Sequence, residues 1–289
     1  GSFSPRYPLL IPTVLRAGQA LGSPLIVQIS QKDMSRCGVE VSLFAEAFYR
    51  FLQEGDITVP VVLHLDHTED ERIIAEAIAV GFSSVMIDAS HMSLEGNIAT
   101  TKAVVDYGHA CGVSVEGELG TIGAYSFSET DMSDDVRYTD PDEIERFARE
   151  TQVDAVAVSV GTVHGVKAGT ATSVDLRRLT ALRARTGVPL VLHGGSGIPA
   201  EMMWAAIALP GGGVSKVNLA TDLELAMLAA LESKERLVNT QVEALSPQAL
   251  ERAQAAVEGV VSEKIRSFLL SEGRAQPDPT VPGVRAQTS

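Results

Sequence analysis

Apolar residues gather along this chain in two alternating rhythms. Short runs rich in Val, Ile and Leu occur at 24–30 (PLIVQIS), 59–66 (VPVVLHLD), 83–90, 113–120, 153–160, 188–195 and 215–221. Their successive positions are apolar, as in strands buried on both faces. Between them, apolar residues recur at i, i+3 and i+4 in VSLFAEAFYRFLQ, EDERIIAEAIAV, NIATTKAVVDYGHA, DPDEIERFARE and DLRRLTALRART, which predicts helices. Asp140 followed by Pro141 marks one helix start, and Asp175 is placed to cap the next.

Strands alternating with helices predict parallel βα units. Seven units, with GSFS (1–4) as the stub of an eighth strand, fit a (β/α)8 TIM barrel better than a doubly wound open sheet. After residue 221 the pattern turns helical, a C-terminal extension running to about residue 275. The expected organisation is one domain over 1–275 and a flexible tail over 276–289. The first strand reads as incomplete, with upstream residues or local disorder expected there.

Composition narrows the partners. The chain has 289 residues, 45% of them hydrophobic, and a net charge of −14, which disfavours nucleic acid and anionic membranes. It leaves room for a phosphorylated substrate held by a few local donors. Two cysteines, Cys37 and Cys111, give no disulfide framework and no metal spacing. With no apolar run of membrane-spanning length and no visible signal peptide, the expected location is the cytoplasm.

Polar residues sit where the strands end. Asp66 and His67 close one run, Asp88 the next, and Glu116 and Glu118 another; His164, His193 and Asn218 follow on later strands. In a parallel barrel all these ends open on one face. Three histidines from three strands, His67, His164 and His193, supply the ligand count of a catalytic zinc site with one position open. Asp88 and Glu118 would orient the histidines or form a second metal position. His64, two residues before Asp66 and on its face, reads as structural support, while His91 and His109 read as surface or packing residues. Small residues in GTVHG (161–165), HGGSG (193–197) and NLAT (218–221) would let backbone N–H groups approach an anion. Gly194, Gly195, Ser196 and Thr221 are the expected donors, and PGGG (210–213) falls at the opposite end of the barrel.

LHLDH, SVMIDASH, VSVEGELGTIG, YTDP, VGTVHG, PLVLHGGSGIP and KVNLATDL together resemble, in order and spacing, the class II zinc-dependent ketose-bisphosphate aldolases. Within them, NLAT and the terminal SEGRA resemble the tagatose-bisphosphate aldolase branch. The resemblance implies a zinc ion on His67, His164 and His193, with Asp88 and Glu118 at a second or displaced metal position. It implies Asp66 as proton donor to the aldehyde-derived oxygen. Gly165, Gly194, Gly195, Ser196, Asn218, Leu219, Ala220 and Thr221 would bind the dihydroxyacetone phosphate half, with a sodium or potassium ion nearby. The substrate implied is a ketose 1,6-bisphosphate, of tagatose or fructose type. No Schiff-base lysine is needed, and Lys216 lies at the start of its run.

The chain departs from that family in places. FSPRYP (3–8) replaces an Asn-rich segment, putting Ser4 and Arg6 near the substrate. The loop AYSFSETDMSDD (124–135) differs from the family's acidic cluster, and Glu129 is the candidate base at carbon. ELAMLAAL, after NLATDL, lacks a basic residue common in fructose-bisphosphate relatives. These changes fall on the aldehyde side, so an aldolase with a different aldehyde acceptor is one alternative. A non-catalytic metal- and phosphate-binding subunit and a zinc hydrolase are others. The apolar C-terminal helices predict a homodimer or homotetramer.

Overall fold

A computed structural model describes residues 1–123, 136–165 and 172–275. Eight parallel strands close into a barrel in chain order: β1 (Ser2–Phe3), β2 (Leu25–Ser30), β3 (Val61–Thr68), β4 (Ser84–Ile87), β5 (Ser114–Leu119), β6 (Ala155–Val158), β7 (Leu190–Leu192) and β8 (Val214–Leu219). The closed barrel is the expected one, and the open-sheet alternative is excluded. Two residues suffice for β1. Ser2 pairs with Ile26 and Asn218, and Phe3 with Val27 and Leu219, so the strand joins both neighbours. The expected local disorder at the first strand is not found, since Ser2 and Phe3 pair on both sides.

The helices are α1 (Ile11–Ala20), α2 (Gln31–Cys37), α3 (Val41–Glu54), α4 (Glu71–Ala79), α5 (Leu94–Ala110), α6 (Pro141–Thr151), α7 (Leu176–Arg183), α8 (Ala200–Ile207), α9 (Thr221–Ala230), α10 (Asn239–Glu243) and α11 (Pro247–Glu263). The Asp140 carboxylate accepts from Asp142 N at the start of α6, and Asp175 accepts from Arg178 N at the start of α7, as their sequence positions predict. The short helices α1, α2 and α8 escape the periodicity reading. Pro12 in the first turn of α1 and the polar QKDMSRC of α2 mask their apolar faces.

α11 runs into a π-helical turn, Lys264–Phe268, instead of one continuous helix. It packs on α1 and α9 and buries Ala253, Val257 and Val261 there. This apolar face of α11 is therefore covered by the chain itself. No helix among the described residues is long and apolar enough to cross a membrane.

The barrel wall follows strand alternation. Leu65, Val115 and Val217 belong to the core shared with helix residues such as Phe44, Ile74 and Phe147. Inward positions differ. Met86, Ala157 and Val191 make a small apolar cluster of their own, and the remaining space is lined by Gln28, His64, Asp66, Glu116, Glu118, Lys216 and Asn218, all buried. Barrel interiors are usually filled with branched aliphatic side chains. A polar interior has to be satisfied internally, because each unpaired buried polar group costs about 1–3 kcal/mol.

Candidate metal centre and active site

Asp66 and His67 are consecutive, and in a regular strand they would face opposite sides. The β3–β4 register shifts between Leu65 and Thr68, and His67 has φ 36°. This bulge turns both residues toward the barrel mouth. Asp66 then accepts from Gln28 Nε2 at 3.0 Å and Asn218 Nδ2 at 2.9 Å. His67 Nδ1 meets Asp88 Oδ2 at 3.0 Å, and Asp88 is held in turn by Ser90 Oγ at 2.7 Å.

His164 and His193 complete a cluster around His67. Ring centroids lie 4.7 Å apart for His67 and His164, 4.3 Å for His67 and His193, and 5.9 Å for His164 and His193. One nitrogen of each falls within 4.8 Å of the others. The His164 backbone N donates to Gly123 O at 2.8 Å, tying the root of the next loop to this histidine. His193 Nε2 meets Glu116 Oε1 at 2.9 Å, which leaves Nδ1 facing the cluster.

Electrostatics agree with a cation here. Burial, then the neighbouring His67, holds His164 and His193 well below the usual imidazole range, so both are neutral. Burial opposes charge on His67 too, but Asp66, Asp88 and Glu118 outweigh it and raise this imidazole to about 10. The same ion pairing carries Asp88 below the ordinary carboxylate range against its burial. Burial, then Asp88, pushes Glu118 well above that range, and burial raises Asp66.

Buried atoms without hydrogen-bond partners test the fit to a metal. Among the described residues these include His67 Nε2, His193 Nδ1 and Glu118 Oε2. All three belong to this cluster, since Glu118 Oε2 lies 3.5 Å from His67 Nδ1 and 3.4 Å from His193 Nδ1. Imidazole nitrogens left unpaired in a buried acidic pocket are what a divalent transition metal uses. His67, Asp88 and Glu118 form a second group of ligand type, sharing His67 with the first. The expected ligands are thus brought together, and the residues present fit a zinc ion.

The expected phosphate side gathers beside it. Gly165 (φ 87°) follows His164, and Gly194 (φ 66°) follows His193. A Cβ on Gly194 would lie 2.2 Å from Val163 O, so only glycine lets these two loops touch. Gly195 N donates to Asn218 O at 3.0 Å and Ser196 Oγ accepts from Asp222 N at 3.2 Å, joining the β7 and β8 loops. Gly195 therefore lends close approach and its N–H is already taken. Leu219 ends β8, Ala220 precedes α9, and Thr221 opens it, placing a helix N-terminus at this rim. Asn218 directs its amide to Asp66. Lys264 Nζ balances Asp222 from beneath at 2.9 Å.

On the side expected to take the aldehyde, Arg6 (φ 62°) is buried and gives its Nε to Asp33 Oδ1 at 2.9 Å. It also pairs with Glu224, which Arg236 holds through Nη2 at 2.9 Å. Ser4 Oγ lies 3.5 Å from the same Asp33. Glu129 lies outside the described residues. His109 meets Asp154 at an exposed position and His91 is exposed, both as expected.

Several participants receive no role from the sequence. Glu116 alternates with Glu118 and could have been assigned to the same face, but its partner His193 is 77 residues away. Lys216, Gln28, Ser84 and Asp33 read as ordinary strand and helix residues.

Comparison with known proteins adds the family. The family described as "Fructose-bisphosphate aldolase class-II" matches residues 9–274. A fructose-bisphosphate aldolase of Staphylococcus aureus is 37% identical over 264 residues, covering 88% of this chain and 86% of that one. A 6-phospho-5-dehydro-2-deoxy-D-gluconate aldolase of Bacillus subtilis is 38% identical over 256 residues, covering 88% and 84%. In structure, the chain is similar to the YdjI aldolase of Escherichia coli K12, with TM-score 0.77 and 29% identity over 95% of this chain and 92% of that one. With a closed barrel, a three-histidine cluster and a match over nearly its whole length, the chain belongs to the class II fructose-bisphosphate aldolase family and is a carbon–carbon lyase.

Proposed function

We propose that the chain is a zinc-dependent aldolase that cleaves and forms a ketose 1,6-bisphosphate, giving dihydroxyacetone phosphate and an aldehyde. The observation that carries this reading is the convergence of His67, His164 and His193, with unpaired nitrogens on His67 and His193, beside the buried carboxyl of Asp66. His67, His164 and His193 would hold the zinc, with Asp88 and Glu118 offering the second position. When bound, zinc supplies Lewis-acid stabilisation of the negative charge that builds on the ketose oxygens as the bond breaks.

The chain's own groups do the rest. Asp66, fixed by Gln28 and Asn218, moves the proton at the aldehyde-derived oxygen. Gly194, Ser196 and the first turn of α9 bind the phosphate of the dihydroxyacetone phosphate half, and Gly165, Gly195 and Asn218 to Thr221 shape the cradle. A sodium or potassium ion beside that phosphate belongs to the same reading. Glu129 is proposed as the base that moves the proton at carbon. The protein is proposed to work in the cytoplasm as a homodimer or homotetramer.

A second reading concerns the aldehyde. The two named relatives act on different sugars and are equally similar to this chain, at 37% and 38% identity. Ser4 and Arg6, in the segment that departs from the Asn-rich pattern the resemblance implies, are bound to Asp33 on this side of the site. An acceptor other than glyceraldehyde 3-phosphate fits these changes.

The test is release of dihydroxyacetone phosphate from fructose 1,6-bisphosphate, tagatose 1,6-bisphosphate and 6-phospho-5-dehydro-2-deoxy-D-gluconate. Each is assayed as purified, after chelation and after zinc is restored. Chelator-sensitive, zinc-restored cleavage of a hexulose bisphosphate is the expected result, and the faster epimer assigns the branch. Cleavage of the gluconate derivative alone moves the assignment to the second reading. No cleavage of any of the three with zinc bound removes the aldolase proposal.

A further inference from the structure

Deeper in the barrel than the three histidines lies another group of metal-ligand type, His64, Asp66 and Glu116, all buried. His64 precedes Asp66 by two residues, Glu116 precedes Glu118, and Lys216 precedes Asn218. Residues two apart share a face, about 6–7 Å further along the strand, so these side chains form a layer beneath the site. Three such ligands converging away from water call for a cation, since a buried carboxylate without one is costly.

The chain brings its own. Lys216 Nζ lies 2.8 Å from Glu116 Oε2, 3.2 Å from His64 Nε2 and 4.0 Å from Asp66 Oδ1. We propose that Lys216 is the resident cation of this lower layer and that, through Glu116, it positions His193 for the metal above. The inference rests on the zinc reading given under Proposed function.

Partners fix the direction of each bond. Lys216 has only protons to give, so Glu116 Oε2 and His64 Nε2 both accept from it. His64 then carries its proton on Nδ1, which donates to Ser84 Oγ at 2.7 Å. This accounts for every nitrogen of His64 and leaves none for a metal. The other oxygen of Glu116 accepts from His193 Nε2 at 2.9 Å, so the His193 proton sits on Nε2 and the lone pair on Nδ1. Nδ1 is the nitrogen that faces His67 and has no hydrogen-bond partner.

Lys216, Glu116 and His193 thus form a relay of two hydrogen bonds that reaches across the barrel from β8 through β5 to the β7 end. Carboxylates behind a ligating histidine fix its tautomer and ring orientation. Here the carboxylate is itself anchored by a lysine, which holds one oxygen of Glu116 while His193 holds the other. Lys216 is a positioning residue in this account and touches no substrate.

The test measures metal, not turnover. Zinc affinity is determined by competition with a chromogenic chelator, and the cobalt-substituted protein gives an absorption spectrum sensitive to the histidine ligands. The full chain is compared as wild type, K216M, K216R, E116Q, K216M/E116Q and H164A, with circular dichroism to confirm folding. Loss of Lys216 or Glu116 is expected to weaken zinc about 10- to 100-fold and to shift the cobalt bands. The double variant should lose no more than the worse single one, because both act through one bond to His193. K216R, which keeps the charge, should recover most of the affinity.

Folded K216M and E116Q that bind zinc within about twofold of wild type, with unchanged cobalt bands, overturn the proposal, since second-layer loss costs about tenfold or more. If K216M does not fold, E116Q decides, because its amide keeps the shape but has one acceptor oxygen for the two donors Lys216 Nζ and His193 Nε2. H164A binding zinc as tightly as wild type overturns the three-histidine reading instead, a result separate from the fate of Lys216.

Discussion

Asn218 Nδ2 donates to Asp66 Oδ1 across 2.9 Å, so the last strand of the barrel holds the carboxyl group at the end of the third. Gln28 Nε2 holds the other oxygen from β2 at 3.0 Å. With both oxygens anchored, Asp66 can reach a substrate oxygen only along the direction left open at the mouth. Asp66→Asn keeps the size and removes the exchangeable proton. Cleavage should fall by about 10²- to 10⁴-fold, the usual worth of a general acid or base. Zinc affinity should stay within a few-fold of wild type. A variant that loses zinc as fast as activity would make Asp66 part of the metal site instead.

Each of the three histidines should be needed for the metal. Metal content by atomic emission is expected to drop from near one zinc per chain to a small fraction in His67→Ala and His193→Ala. Their orphaned nitrogens, His67 Nε2 and His193 Nδ1, are the atoms that the metal would occupy. His64→Ala should keep its zinc, because His64 bonds Ser84 and Lys216 and offers no free nitrogen. Zinc loss in His64→Ala equal to that in His67→Ala would contradict this division of labour.

Gly194 tests the phosphate side. Its φ of 66° and a Cβ position 2.2 Å from Val163 O leave no room for alanine. Gly194→Ala should destabilise the chain by about 1–3 kcal/mol, the cost of a strained backbone residue. It should also raise the KM for the phosphorylated ketose more than it lowers kcat. Urea unfolding and steady-state kinetics measure the two effects. An unchanged KM would remove this loop from the binding site.

Glu224 offers a pH test at a distance from the metal ligands. Burial acts to raise this carboxyl, but Arg236 and Arg6 outweigh it and hold Glu224 below its usual range. Its folded value is depressed, so its contribution is complete above the unfolded value and is lost as pH falls through the folded one. Glu224→Gln should therefore cost about 3 kcal/mol near neutral pH, typical of breaking a buried pair. That difference from wild type should shrink as the pH is lowered below the ordinary glutamate range. Urea midpoints for both proteins at several pH values check it, and a difference independent of pH would mean the side chain acts by shape alone.

The sequence by itself determined a good part of this protein. Apolar runs separated by amphipathic helices require parallel strands covered on both sides, and eight of them close a barrel. Alternation placed His64 with Asp66 on a shared face, because side-chain direction in a strand is set by local geometry alone. His67, His164 and His193 were legible as a set for the same reason: each follows a strand, and parallel strands end on one face. The motifs that resemble the class II aldolases lie at these ends, where chemistry constrains residue type.

Tertiary structure decided the rest. Asp66 and His67 serve one site only because the β3–β4 register slips and His67 accepts a positive φ, which alternation forbids. Lys216 looked like an edge residue of its strand, yet its neighbours Glu116 and His64 come from β5 and β3, at separations of 100 and 152 residues. The first strand read as the stub of an eighth, and its two residues, paired on both sides, close the barrel. One apolar face of α11 is covered by α1 and α9 of the same chain, which the periodicity alone does not assign. In each case the deciding quantity is a contact between distant segments, a hydrogen bond or a buried face. Such contacts exist only once the barrel has closed and brought the strand ends together.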